Sequence, residues 1–284
     1  RNEFARAVVD ARIPFLELPE TRRVDPRHPG MLRSYIDEHH IGLVHTHGYR
    51  ADVLGWLATR RTGSAIVTTH HGWIRNTWRQ KVFSYLAGRL SAGFDGVQVV
   101  APHLLEELPA ILRHSGRAEV VQNAIVLEDF QPVGAGSERR RQMAVDDRHV
   151  LVGVVGRLSP EKGCLEMLDA FRDLRRTRTD VSLAYIGEGP LEPELRGRIS
   201  AWDLEKWVKL LPHQRDVRPI YEAIDVLACP SLTEGLSNVI MEAMAFGRPV
   251  LATRVGGNAE LVVDGETGLL VEAGSPSALT RGLA

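Results

Sequence analysis

Residues 150–186 read Val150-Leu-Val-Gly-Val-Val155-Gly-Arg-Leu-Ser-Pro160-Glu-Lys-Gly-Cys-Leu165-Glu-Met-Leu-Asp-Ala170-Phe-Arg-Asp-Leu-Arg175-Arg-Thr-Arg-Thr-Asp180-Val-Ser-Leu-Ala-Tyr185-Ile186. An apolar run, Val150–Val155, passes through a short polar loop into apolar residues at helical spacing over Leu165–Leu174. A second apolar run, Val181–Ile186, follows. Run, helix, run is the βαβ unit. Runs without in/out alternation mark strands buried on both faces of a parallel sheet. The rhythm extends both ways. Upstream lie the runs Ile13–Leu18, Ile41–His45, Ala65–Thr69, Gly96–Val100 and Glu119–Gln122; downstream lie Trp207–Leu211, Ile224–Cys229, Pro249–Thr253 and Gly268–Val271. One stretch interrupts it: Gln131-Pro132-Val133-Gly134-Ala135-Gly136-Ser137-Glu138-Arg139-Arg140-Arg141, rich in Pro, Gly and charge. A boundary there gives an α/β protein of two Rossmann-like, doubly wound parallel-sheet domains, 1–132 and 133–284, facing a cleft. The chain opens in helical spacing (Phe4, Ala7, Val8, Ala11) and stops at Leu283-Ala284 in a helix just begun. Both domains are therefore read as incomplete, the first at its start and the second at its end.

Composition narrows the function. The 284 residues carry a net charge of −1, which argues against a nucleic-acid binder that relies on positive charge. Cys164 and Cys229 both lie in apolar contexts and are read as reduced thiols in a cytoplasmic protein. No apolar run approaches the roughly 20 residues of a membrane span. Trp73–Phe83 places cations beside apolar residues on an expected helix. The segment reads either as an ordinary core-facing helix or as a peripheral contact with the inner face of an anionic membrane.

The densest chemistry follows the run ending at Cys229: Pro230-Ser231-Leu232-Thr233-Glu234-Gly235-Leu236-Ser237-Asn238 and a helix to about Ala245, closed by Gly247. Ser237 or Asn238 is the expected cap. Unpaired N–H groups of Leu236, Ser237 and Asn238, with the helix dipole, make an anion site suited to phosphate. Glu242, one turn along from Asn238, would repel phosphate but can accept from a ribose diol. Glu234, ahead of the helix, can accept from sugar hydroxyls; a solvated turn acid and a surface helix acid are the plainer reading of the pair. After Val155, Gly156 allows close backbone approach, and Arg157 and Lys162 leave one loop as a planar fork and a point charge suited to a diphosphate. Glu161 could instead pair with either. Gly256-Gly257 opens a short helix and is read as a further source of N–H donors or as a tight turn. His45-Thr46-His47-Gly48 and Thr69-His70-His71-Gly72 stand at two strand ends. Neither loop has a Cys, Asp or Glu to complete a metal shell, and no Asp-x-Asp pair occurs, so no metal or other cofactor is assigned. Gly187-Glu188-Gly189-Pro190 lacks the third small residue of a dinucleotide fingerprint.

Together the motifs resemble the family-four, or group one, retaining glycosyltransferases of GT-B architecture, most densely over Val152–Phe171, Tyr185–Pro190 and Ala223–Gly274. The resemblance implies a metal-independent hexosyl-type transferase using a nucleotide-diphosphate sugar and a sugar or lipid-linked acceptor in glycan, polysaccharide or glycolipid synthesis. It implies that Arg157 and Lys162 hold the donor diphosphate and that Glu242 holds the ribose. Glu234 would meet the donor sugar with Gly235 beside it, while Leu236, Ser237 and Asn238 contribute through the backbone. It also makes His71 an active-site histidine near the transferred sugar and His47 an acceptor-side candidate. The family's opening strand and Gly-rich loop, and its C-terminal crossing helices, are not in this sequence. Ala124 replaces a usual Gly, and Ala101 a common Ser. The alternatives are a nucleotide-sugar epimerase or phosphorylase of the same architecture, a nicotinamide oxidoreductase, and an inactive nucleotide-binding fragment.

Overall fold

The structure, a computed structural model, describes residues 8–19, 25–72, 85–86 and 88–284. The chain forms two compact units. One comprises Arg1–His70, Val82–Gln98 and Pro109–Glu119; the other comprises His71–Lys81, Val99–Leu108 and Val120–Ala284.

The first unit is built on a four-stranded sheet in chain order: β1 (Leu43–His47), β2 (Ala65–His70), β3 (Gly96–Val99) and β4 (Ala118–Val120). β1 and β2 are parallel, with His45 opposite Val67 and His47 opposite Thr69. The helix Tyr49–Thr59 is tied to both strands through a buried carboxylate: Asp52 Oδ1 accepts from Thr46 Oγ1 at 2.6 Å and from Thr68 Oγ1 at 2.7 Å. Both threonine hydroxyls and the carboxylate are removed from water, so each needs the other.

The second unit holds a six-stranded sheet in the order β10-β9-β8-β5-β6-β7. Its strands are β5 (Val150–Val155), β6 (Val181–Ile186), β7 (Val208–Leu211), β8 (Val226–Cys229), β9 (Val250–Thr253) and β10 (Gly268–Val271), and all its pairs are parallel. The apolar runs are buried on both faces. Every residue of β6 is buried; Leu183 and Tyr185 enter one core cluster, and Ala184 and Ile186 the other. The helices Cys164–Leu174, Glu192–Ala201 and Pro276–Leu283 cover the first face, and Arg218–Ala223 and Asn238–Ala245 the second. The chain moves outward from β5 through β6 to β7, then crosses back to β8 and continues to β10. The reversal falls between β5 and β8.

Two expectations need correction. Ile13–Leu18 forms no strand: Ile13, Phe15 and Leu16 are exposed, and Pro14 within the run and Pro19 just after it lack N–H donors. The strands expected to begin at Ile41 and Ile224 begin at Leu43 and Val226, and the one expected over Glu119–Gln122 is β4. Residues 8–10 are helical, whereas Phe4 and Ala7 lie outside the described residues, as does the segment Trp73–Phe83. Among the described residues no helix is long and apolar enough to cross a membrane.

Candidate functional site

Loops leaving the carboxyl ends of β5 and β8 enclose a cavity of about 220 Å³ in the second unit, at the point where strand order reverses. In open α/β sheets this is where ligands bind, because neighbouring loops diverge there to opposite faces. The β5 loop contributes Gly156, Arg157 and Lys162; the β8 loop and following helix contribute Glu234, Leu236, Ser237 and Asn238. The fold thus brings both quoted motifs to one wall. Gly235 and Glu242 are not on that wall. Glu242 lies one turn further along the helix than Asn238.

Each side of the cavity has its own chemistry. Gly156 adopts φ +139°, and a Cβ built there would meet nothing within 4 Å. Only glycine holds that backbone without strain, and the space above it belongs to the cavity. Arg157 is exposed and enters no ion pair among the described residues. Lys162, at the end of the 3₁₀ turn Pro160–Lys162, places Nζ 2.7 Å from Glu234 Oε1. Glu161 takes the Ser159 hydroxyl at 2.6 Å, which leaves Lys162 to Glu234. Glu234 Oε1 also accepts from Ser231 Oγ at 2.7 Å, while Oε2 accepts no hydrogen bond among the described residues. The carboxylate is therefore charge-balanced and held by one oxygen, with the other available to a hydroxyl donor.

The helix Asn238–Ala245 starts with Ser237 at the cap position, but the Ser237 side chain does not cap it. The hydroxyl turns inward and lies 3.8 Å from Cys229 Sγ. The N–H groups of Leu236, Ser237 and Asn238 donate to no group among the described residues, so they remain available at the positive end of the helix dipole. The Gly256-Gly257 expectation changes. Gly257 N–H donates to the Gly235 carbonyl at 2.7 Å, and a Cβ on Gly256 would lie 2.0 Å from the Glu234 carbonyl oxygen. The pair buttresses Glu234-Gly235 and keeps at least one of its N–H groups for the protein.

Several residues that hold the site gave no signal in the sequence. Ser231 orients Glu234, and Thr253 Oγ1 donates to the Ser231 carbonyl at 2.6 Å. Asn258, fully buried, donates to the Thr253 carbonyl at 3.1 Å. Tyr221 OH donates to Glu242 Oε2 at 2.6 Å. Burial, and then the Glu242 charge, pushes the Tyr221 phenol well above its ordinary value, so it acts only as a donor. Burial first, and the Glu234 charge second, raises the Cys229 thiol; burial pushes Cys164 up to about 11. Both cysteines are buried, free and unreactive in these surroundings.

The histidines divide between the units. His71 is exposed, and its carbonyl oxygen would lie 2.1 Å from a Cβ on Gly235, so the two backbones touch. In the first unit, His47 is exposed, with its ring 4.4 Å from that of His45. His45 Nε2 lies 2.8 Å from Thr69 Oγ1, which donates to Gln98, which in turn donates to Glu119. Partial burial, and then His47, lowers the His45 pKa. Among the described residues no group of three His, Cys, Asp or Glu side chains lies close enough together to hold a metal ion.

Comparison with known proteins agrees with the motifs. Residues 149–284 match the family described as Glycosyl transferases group 1, and residues 1–129 match Glycosyltransferase Family 4. The D-inositol 3-phosphate glycosyltransferase of Corynebacterium glutamicum (strain R) is 31% identical over 266 residues, or 85% of this chain and 63% of that protein. The protein of the same name from Rhodococcus jostii (strain RHA1) is 31% identical over 249 residues, or 81% and 55%. The chain thus spans a little over half the length of these curated relatives. Among solved structures, Anabaena Alr3699/HepE in complex with UDP-glucose superposes with a TM-score of 0.87 at 23% identity, covering 99% of this chain and 78% of that one. Sequence motifs, the two parallel sheets and these matches together establish that the chain belongs to the group 1, family 4 glycosyltransferases, with the GT-B fold.

Proposed function

We propose that the protein transfers a hexosyl-type sugar from a nucleotide-diphosphate sugar to an acceptor hydroxyl with retention of anomeric configuration and without a metal ion. One observation carries this reading. A single cavity collects Arg157, Lys162, the free N–H groups of Leu236–Asn238 and a carboxylate oxygen of Glu234. The cations and N–H groups suit a diphosphate, and the glutamate suits sugar hydroxyls. Residues 133–284 are assigned to the donor and residues 1–132 to the acceptor.

In the reaction the bond from the anomeric carbon to the diphosphate oxygen breaks, and its electron pair stays on that oxygen. Arg157, Lys162 and the helix start stabilise the growing charge in place of a metal. The acceptor oxygen bonds the same face of the sugar as its proton passes to the departing phosphate. Glu234 Oε2 orients the sugar, and His71 is assigned to the neighbourhood of the transferred group. Glu242 is assigned to the ribose. His47 is assigned to the acceptor side, with a sugar, a lipid-linked sugar or a phosphorylated cyclitol as acceptor. The last class comes from the name of the 31%-identical relatives. The two buried free thiols fit a cytoplasmic setting.

The test is incubation with UDP-, GDP- or ADP-glucose and D-inositol 3-phosphate or a hexose acceptor in EDTA, with the product anomer read by NMR. A retained α-linkage is expected. An inverted linkage, or turnover only after a divalent cation is added, overturns the reading.

A further inference from the structure

We infer that Tyr221 is a positioning residue for ribose recognition, because its hydroxyl holds one oxygen of Glu242 and so fixes the orientation in which the other meets the nucleotide. The inference rests on the assignment of Glu242 to the ribose made above.

Tyr221 is fully buried on the helix Arg218–Ala223, inside the apolar cluster that includes Ile220, Leu227 and Ile240. Its ring stacks on Phe246 at a centroid distance of 5.7 Å and an interplanar angle of 24°. Arg248 Nε donates to the Tyr221 carbonyl at 2.8 Å, and its Nη2 donates to the next carbonyl at 3.0 Å. Ring and backbone are both fixed, so the hydroxyl has one place to point. It donates to Glu242 Oε2 at 2.6 Å, while Oε1 accepts no hydrogen bond among the described residues.

Packing does not require this arrangement. Phenylalanine would fill nearly the same volume and remove the cost of a buried hydroxyl, and an acidic partner is an expensive way to satisfy that hydroxyl. What the pair provides is a carboxylate with one oxygen occupied by a donor that cannot rotate away. The other oxygen, which accepts no hydrogen bond among the described residues, is then held as an acceptor in one orientation, as a pair of ribose hydroxyls requires.

Calorimetry tests this with whichever of UDP, GDP and ADP binds most tightly, together with its 2′-deoxy and 3′-deoxy counterparts. Wild type should prefer the ribonucleotide over at least one deoxy form. Tyr221→Phe should bind the ribonucleotide five- to tenfold more weakly, yet bind the discriminated deoxy form within twofold of wild type. An equal loss for both ligands, or no loss for either, overturns the inference, since a packing role would not distinguish a single hydroxyl. Glu242→Gln tests the same point without altering Tyr221. The tyrosine donor would claim the amide oxygen and turn the NH2 group toward the ribose, exchanging an acceptor for a donor, so ribose preference should fall below that of wild type. A glutamine variant with the full wild-type preference shows that Tyr221 fixes nothing. If wild type shows no ribose preference and Glu242→Ala binds like wild type, the assignment of Glu242 itself has failed, and the inference falls with it.

Discussion

Arg157 and Lys162 leave the same loop, but their surroundings predict different behaviour. Lys162 pairs with a Glu234 carboxylate whose side chain is 9% exposed, whereas Arg157 is exposed and outside any ion pair among the described residues. Removing either cation should cost about 2–4 kcal/mol of transition-state stabilisation, read as kcat/KM. Only Lys162→Ala should also lower thermal stability, because it leaves Glu234 charged and partly desolvated. The expected loss is about 1–2 kcal/mol, below the roughly 3–5 kcal/mol of a fully buried pair because Lys162 retains some solvent contact. Equal melting temperatures for the two alanine variants would show that the Lys162–Glu234 pair contributes nothing to folding. The sequence made both cations and both glutamates legible, since Arg157, Lys162 and Glu234 each stand beside a glycine and Glu242 lies one turn into the helix that follows. It did not reveal that Lys162 and Glu234 bond each other, because they are 72 positions apart and meet only through strand order.

The segment after the expected domain boundary shows how one side chain can organise an element. Glu222 accepts four backbone N–H groups in succession, from Val133, Gly134, Ala135 and Gly136. Burial alone would raise its pKa, but the four donors outweigh burial, and the net shift is downward from 4.5. A lowered folded-state pKa adds stability that is present above the unfolded value and lost as pH falls through the folded value. The melting temperature of wild type should therefore fall more steeply below about pH 4.5 than that of Glu222→Gln, whose own loss near neutral pH is about 1–3 kcal/mol. Parallel pH profiles would remove Glu222 from this role. Gly256 acts on a neighbouring element. It adopts φ +50°, and a Cβ there would run into the Glu234 carbonyl. Gly256→Ala should cost about 1 kcal/mol or more. It should also shift Glu234-Gly235 enough to weaken nucleotide binding. Unchanged affinity and melting temperature would show that the buttress is dispensable. The glycine pair was visible in the sequence, but its target was not: Gly257 donates to a carbonyl 22 residues upstream in the chain.

For the whole molecule, the apolar runs specified the second sheet nearly to the residue, because strands buried on both faces admit few polar positions. β5, β6 and β10 have the bounds read from the sequence. The order of those strands was not legible. That β5 neighbours β8 follows from crossover packing, and this neighbouring creates the cavity. Ile13–Leu18 looked like the other apolar runs, yet it contains Pro14, is followed by Pro19, and leaves Ile13, Phe15 and Leu16 exposed. Ser231, Thr253, Asn258 and Tyr221 escaped notice for a shared reason. A buried polar residue is recognised by its partner: Ser231 meets Glu234 only through the fold of their shared loop, and the partners of Thr253, Asn258 and Tyr221 lie in other elements.

The proposed chemistry depends on a metal-free nucleotide-diphosphate site built by the β5 loop, the β8 loop and the helix Asn238–Ala245. Calorimetric titration of this chain with UDP, GDP and ADP in EDTA, alongside Glu242→Ala, tests it most directly. One of the three nucleotides should bind without a metal, and the variant should bind it at least tenfold more weakly. Failure of all three to bind in EDTA, or equal binding by the variant, would contradict it.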